Sequence, residues 1–348
     1  MLDNTSTVLG KVAVHYVDNS SQDQDLILSQ NELYLEDDLL PLLLKQYFLH
    51  SFKDQSLYVF QHETDIALNE VMHHVNHIFE HEDDFLLQSQ ALAKLLYDKS
   101  DHPKVKGGEF YIVQFKDCVI DDELCDAVGL FKSENKDSYL KIYHEKSNVG
   151  ISSDAGVSIN KLDKGCLIFN TEKEQGYKLM IIDNTNKGSE AQYWMNNFLN
   201  VKPREDKFYH TKNYLDMCNT FCEEYIDTVI DAPRNEVLKI KENAMNYFTS
   251  KEVFNKQEFE EEALQEPIII EAFKDYKTTF FNNNEITSFD EFDISEKAVK
   301  KAQKVFKSIL KLDKNFHIYL HGRHDLIERG YDEEKGMYFY KTYFLKEE

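Results

Sequence analysis

Lysine recurs along SEKAVKKAQKVFKSILKLDK, residues 295–314, at a spacing that would build a cationic ridge. Wound as one helix at about 100° per residue, Lys300, Lys304, Lys307, Lys311 and Lys314 fall along one stripe with Lys297 beside it. Val299, Ala302, Val305, Phe306, Ile309 and Leu312 fall on the opposite side, ready to dock. Ser295 stands where an N-cap belongs, and Glu296 suits the first turn. A row of ammonium groups neutralises phosphates without reading bases, and ~5–6 such contacts give a log-log salt slope of about −5. The same residues also fit a solvated helix face that balances an acidic body, or a face that meets an acidic protein patch. Downstream, His321-Gly322-Arg323-His324-Asp325 reads as a turn between two strands. There Arg323 would add a phosphate contact, although a hairpin tip with solvated charge, the ordinary composition of turns, is the reading to prefer.

Other chemistry is weaker. His73, His77 and His81 follow one another at i, i+4 and i+8, the one row with metal-ligand spacing. Nothing else completes that site, and a hydrated, weakly pH-sensitive surface explains it. The cysteines, Cys118, Cys125, Cys166, Cys218 and Cys222, contain no CxxC pair and read as reduced core thiols. Neither a GxxxxGK[ST] nor a GxSxG is present, and acidic pairs are expected by chance among 63 Asp and Glu. No catalytic residue and no cofactor are therefore expected. A metal-dependent nuclease or hydrolase is kept as a minor alternative. Gly107-Gly108-Glu109-Phe110 resembles the signature hairpin of diguanylate cyclases, but two glycines entering a strand account for it.

The elements that must hold these residues follow from periodicity. Lys11–Val17 alternates like a first strand, Asp37 and Asp38 open a helix to about Phe52, Thr64 caps another, and a further helix spans Asp84 to Tyr97. After Gly108 the period changes to alternation, with strands expected at Phe110–Lys116, Cys125–Lys132, Tyr139–Tyr143, Val149–Ile159, Cys166–Phe169 and Tyr177–Ile182. This predicts an antiparallel sheet with the early helices on one face. Helices are expected at Ser189–Leu199, Lys207–Ile230, Arg234–Phe248, Lys256–Leu264 and near Glu266–Phe280, with a helix-turn-helix around Thr249–Asn255 as one reading. Strands close the chain at Phe316–Gly322, Leu326–Tyr331 and Met337–Phe344. The fold class is α+β: an acidic front domain over 1–185, a helical region over 186–265 and a small C-terminal region over 266–348 that carries the lysine-rich helix.

Composition sets the outer limits. A hydrophobic fraction of 42% with 24 Phe and 20 Tyr in 348 residues supports a folded chain with ample core. The start, MLDNTSTVLG, has no basic or apolar leader region, and the run Leu39–Leu44 is far below the ~20 residues of a membrane helix. A cytoplasmic protein with no membrane partner is expected. The net charge is −23, and it is uneven: from Glu266 onward 14 Lys and Arg meet 16 Asp and Glu, against 26 and 47 before it. Contact with a polyanion therefore belongs in the rear.

The stretch Tyr177–Tyr225 carries a resemblance. A strand, a short turn, a helix holding the only tryptophan, Trp194, and ending in Phe198-Leu199, then a long helix with Phe221 and Glu224, resembles the bacterial nucleoid-associated protein family of the NdpA type. The likeness continues in Gly107–Phe110, in Asn246-Tyr247-Phe248 with Glu258–Leu264, and in Asn315–Tyr331. The resemblance implies residence in the nucleoid and association with double-stranded DNA. With the acidic front it also suggests a basic nucleoid protein or a topoisomerase as partner. A homodimer is permitted by exposed strands, and an acidic interaction scaffold without DNA contact is the alternative.

Overall fold

A computed structural model describes the chain except for residues 1, 23–24, 36, 53–55, 147, 186–192, 230–233, 305, 307, 313, 321–325 and 347–348. The chain forms two units, Met1–Arg204 and Glu205–Glu348. In the first, strands β1 (Leu2–Asp3), β2 (Val8–Val17), β3 (Leu26–Ile27), β4 (Leu57–Phe60), β5 (Gly108–Ile120) and β6 (Glu123–Ser133) share one sheet with three later strands. A separate hairpin, β7 (Asp137–Glu145) and β8 (Asn148–Gly156), intervenes before β9 (Lys164–Phe169), β10 (Lys178–Asp183) and β11 (Val201–Pro203). The order is β11-β4-β10-β9-β6-β5-β2-β3, with β1 on β5, and every pairing is antiparallel.

Helices α1 (Leu39–Leu49), α2 (Glu70–Glu80) and α3 (Phe85–Asp98) cover both faces of this sheet, not one as the sequence suggested. The reason is the unbroken apolar runs. In β9, Cys166 and Ile168 join the core beneath α2 and α3, while Leu167 and Phe169 join the core beneath α1. A strand that is apolar at consecutive positions needs cover on both sides. On the α1 side Phe48 stacks on Phe131 at 4.4 Å. On the other, Trp194 is fully buried within a π-helical turn, Tyr193–Leu199, against Phe110 and Phe198. The expected cap Ser189 and the start of that helix lie outside the described residues. Thr64 does not cap α2: the Asn69 side chain accepts from Met72 N–H at 2.9 Å, and its amide donates to the carbonyls of Leu199 and Asn200. Gly108 opens β5 so close to the Ser133 carbonyl that any Cβ would collide with it.

In the second unit, α4 (Lys207–Thr220) runs through a π turn, Phe221–Tyr225, into α5 (Ile226–Val229). Then come α6 (Arg234–Ser250), β12 (Val253–Asn255), α7 (Lys256–Phe259), a second π turn at Glu260–Leu264 and α8 (Pro267–Asn283). After them stand β13 (Glu291–Asp293), α9 (Glu296–Ala302), and the hairpins β14 (Ser308–Leu312) with β15 (Phe316–Leu320) and β16 (Ile327–Asp332) with β17 (Met337–Thr342). The segment after Thr249 is a strand paired with β13, which replaces the helix-turn-helix reading. One core runs from Tyr214 to Val299, so the regions divided at residue 265 by sequence pack together.

His15 supplies a pH probe of the first unit. It is 2% exposed, its Nδ1 accepts from the Ser29 backbone N–H at 3.1 Å, and its Nε2 therefore donates to Ser89 Oγ at 3.1 Å. Burial lowers its pKa from 6.5 to about 4. The unfolded chain thus takes up a proton that the folded one refuses, so stability held above pH 6.5 is lost as pH falls towards 4. Urea unfolding followed by Trp194 fluorescence should show this loss, up to about 3 kcal/mol, and His15→Gln should flatten it.

Candidate nucleic-acid interface

The expected cationic segment hangs from an aromatic core. Phe254 of β12 stacks on Phe292 of β13 at 4.6 Å and 17°, and both rings pack on Tyr214 of α4. This fixes the end of β13, where Ile294 N–H donates to the Glu252 carbonyl at 2.7 Å. The next residue, Ser295, is buried. Its N–H donates to Thr211 Oγ1 at 2.9 Å, and its own hydroxyl accepts from Ala298 N–H as the N-cap of α9. The helix buries Ala298 and Val299 and exposes Lys297, Lys300 and Lys301. Lys304, also exposed, sits in the turn that follows, where its N–H reaches the Lys301 carbonyl.

The helix ends at Ala302, so the single ridge expected over 295–314 does not form. Phe306 packs into the main core under the Lys241 ammonium, 5.6 Å from its ring. Beyond it the chain is extended: Leu310 pairs with Ile318, Lys311 with His317 and Leu312 with Phe316. Leu310, Leu312, Ile318 and Leu320 form a small core with Leu238 of α6 and Ile327 of β16, and this core selects strand over helix. Lys314 is exposed in the turn between β14 and β15. Lys307 and Arg323 lie outside the described residues. What survives is a shorter patch at Lys297, Lys300, Lys301 and Lys304, of which Lys301 was not foreseen. Lys300 meets Glu296 at 3.4 Å in an exposed pair that salt screens readily. From Lys297 to the end 12 Lys and Arg meet 8 Asp and Glu, a net of +4, and the preceding residues carry 28 against 55, a net of −27.

The β16–β17 hairpin brings residues that periodicity marked only as strand. Arg329 lies 3.9 Å over the Tyr338 ring, Tyr331 meets Tyr338 at 4.9 Å, and Lys341 lies 4.8 Å over Tyr343. The available signal was the density of MYFYKTYF, residues 337–344, downstream of a lysine-rich segment.

A family model described as nucleoid-associated protein YejK matches residues 13–338, nearly the whole chain. The chain belongs to this family. No curated protein matches it. In the histidine row, His77 bonds Asp84 at 2.7 Å and its ring lies tilted 4.7 Å from that of His81, while the His73 ring meets that of His74, which bonds Gln88 at 2.7 Å. Among the described residues no group of three or more His, Cys, Asp or Glu is placed to hold a metal, and no helix is long and apolar enough to cross a membrane.

The first unit contains a buried charged cluster that nothing in the sequence announced. Register aligns Lys132, Lys164 and Asp183 across β6, β9 and β10. Lys164 meets Asp183 at 2.9 Å, both lysines approach Glu134 at 3.7 Å, and the Tyr193 hydroxyl donates to Glu134 at 2.7 Å. Burial pushes the Lys132 ammonium down to about 8. Opposed charges are paired throughout, which is how a protein tolerates such burial.

The cap geometry of α9 is directly testable. Ser295→Ala should lower the stability of the second unit by about 1 kcal/mol in urea unfolding followed by circular dichroism. Backbone carbon shifts should be helical over 296–302 and extended over 308–312. Helical shifts continuing to Lys314 would contradict the strand.

Proposed function

We propose that the chain works in the cytoplasm as a nucleoid component that contacts double-stranded DNA through phosphates, without reading sequence. The observation that carries this reading is the exposed group Lys297, Lys300, Lys301 and Lys304, on a segment of net +4 within a chain of net −23. Lys307, Lys311, Lys314 and Arg323 follow in the same segment and would extend the contact. Ammonium groups on a docked helix offer point charges to a phosphate row, and they give affinity rather than base specificity.

A second reading, association through proteins, draws on the β7–β8 hairpin. Its register sets Leu140 opposite Ser153, Ile142 opposite Ile151 and His144 opposite Val149 on one face. Leu140, Ile142, Val149 and Ile151 are 62–71% exposed. An isolated two-stranded ribbon is marginal in water, and exposed apolar strands favour a protein partner, such as a basic nucleoid protein, a topoisomerase or a second copy.

Fluorescence anisotropy of a labelled duplex across a salt series separates the two. Direct contact predicts a log-log slope of about −4 for the described lysines, and loss of binding when Lys297, Lys300, Lys301 and Lys304 are all changed to Glu. Duplex binding that is absent at every salt concentration would leave the protein-mediated reading.

A further inference from the structure

The β16–β17 hairpin carries more exposed aromatic surface than its own core uses. Its register divides it into two faces. Ile327 with Thr342, Arg329 with Tyr340 and Tyr331 with Tyr338 share one, while Glu328 with Lys341, Gly330 with Phe339 and Asp332 with Met337 share the other. The first face is buried only at its base, where Ile327 and Tyr340 join the small core with Leu310. Farther out it emerges as Arg329, Tyr331 and Tyr338, the two tyrosine rings being 53% and 65% exposed. On the second face Phe339 lies across Gly330 so closely that a Cβ there would come within 2.3 Å of the ring. Phe339 is itself 46% exposed.

Exposed rings with a cation seated beside them, on the positive segment of an acidic chain, match one class of occupant. We infer that the Arg329–Tyr331–Tyr338 face, with Phe339 and Lys341 behind it, is a stacking platform for the unpaired bases of single-stranded nucleic acid. A base presents a flat π-face that a tyrosine can take without any hydrogen-bond code, and the adjoining phosphate needs the positive charge that Arg329 already holds at the Tyr338 ring. In a duplex the bases are stacked on one another, so the same rings are of little use to it. Asp332, Glu333 and Glu334 make the turn negative, so the strand crosses the face beside Arg329 instead of passing the tip of the hairpin. This inference rests on the phosphate-contact reading above and adds to it a strand preference carried by different residues.

The test uses the full-length protein and three labelled probes: an oligothymidylate, an abasic oligomer of the same length and a duplex of that length. The oligothymidylate is expected to bind at least ~10-fold more tightly than the abasic oligomer, since stacking and not phosphate distinguishes them. Tyr331→Ala with Tyr338→Ala should weaken oligothymidylate binding by ~10-fold or more and duplex binding by less than ~2-fold. Tyr331→Phe with Tyr338→Phe keeps the rings and should keep the affinity. Equal binding of abasic and thymidine oligomers overturns the proposal, whatever the alanine variant does to folding. So does an alanine variant with wild-type circular dichroism and wild-type affinity. A wild-type dimer that the alanine pair makes monomeric, at unchanged oligothymidylate affinity, would assign the face to a second copy. Duplex binding without oligothymidylate binding removes this inference alone, and binding of neither removes the phosphate reading with it.

Discussion

The position of the cationic segment depends on the stack of Phe254 on Phe292. Two short strands hold those rings together, and neither strand would persist alone in water. Tyr214, Phe248 and Phe259 close around the stack, so the ribbon is fixed by aromatic burial more than by its few ladder bonds. From there every step is local: Phe292 sets Ile294, Ile294 sets Ser295, and the buried Ser295 caps the helix that turns its lysines outward.

Electrostatics then confines where a polyanion can meet the chain. Residues before Lys297 carry a net −27, so the body repels DNA while the segment beyond it attracts. At physiological salt the screening length is about 8 Å, short enough for a local patch to act against the net charge of the whole. In a chain this acidic, surface of the sign that suits a polyanion is therefore local and acts only at close range.

The first unit handles charge in the opposite manner. Lys132 and Lys164 are fully buried beside Glu134 and Asp183 at the end of three neighbouring strands, under the Tyr193 ring. Desolvating such groups is costly, and only mutual pairing offsets it. The cluster thereby ties β6, β9 and β10 to the π-helical turn that carries Trp194. Sequence offered no hint of it, because an isolated lysine at a strand end looks like any solvated one.

Much of the architecture was legible from local pattern. The strands between Gly108 and Asp183 appear where alternation placed them, Ser295 caps where a serine before a first-turn glutamate should, and the order of helices in the second unit follows the 3.6 period. The length of the lysine helix was not legible. Val305, Phe306, Ile309 and Leu312 satisfy a helical face, while Leu310 and Leu312 satisfy a strand face equally well, so both periods coexist in one stretch. The choice lay with residues outside that stretch. Ile318 and Leu320 of the partner strand, Leu238 of α6 and Ile327 of β16 offer Leu310 complete burial in an extended chain. The amino-acid sequence by itself thus determined the elements whose apolar pattern admits a single period. Only tertiary packing decided the segment whose pattern admits two, because the free energy of burying Leu310 depends on neighbours that local periodicity does not contain.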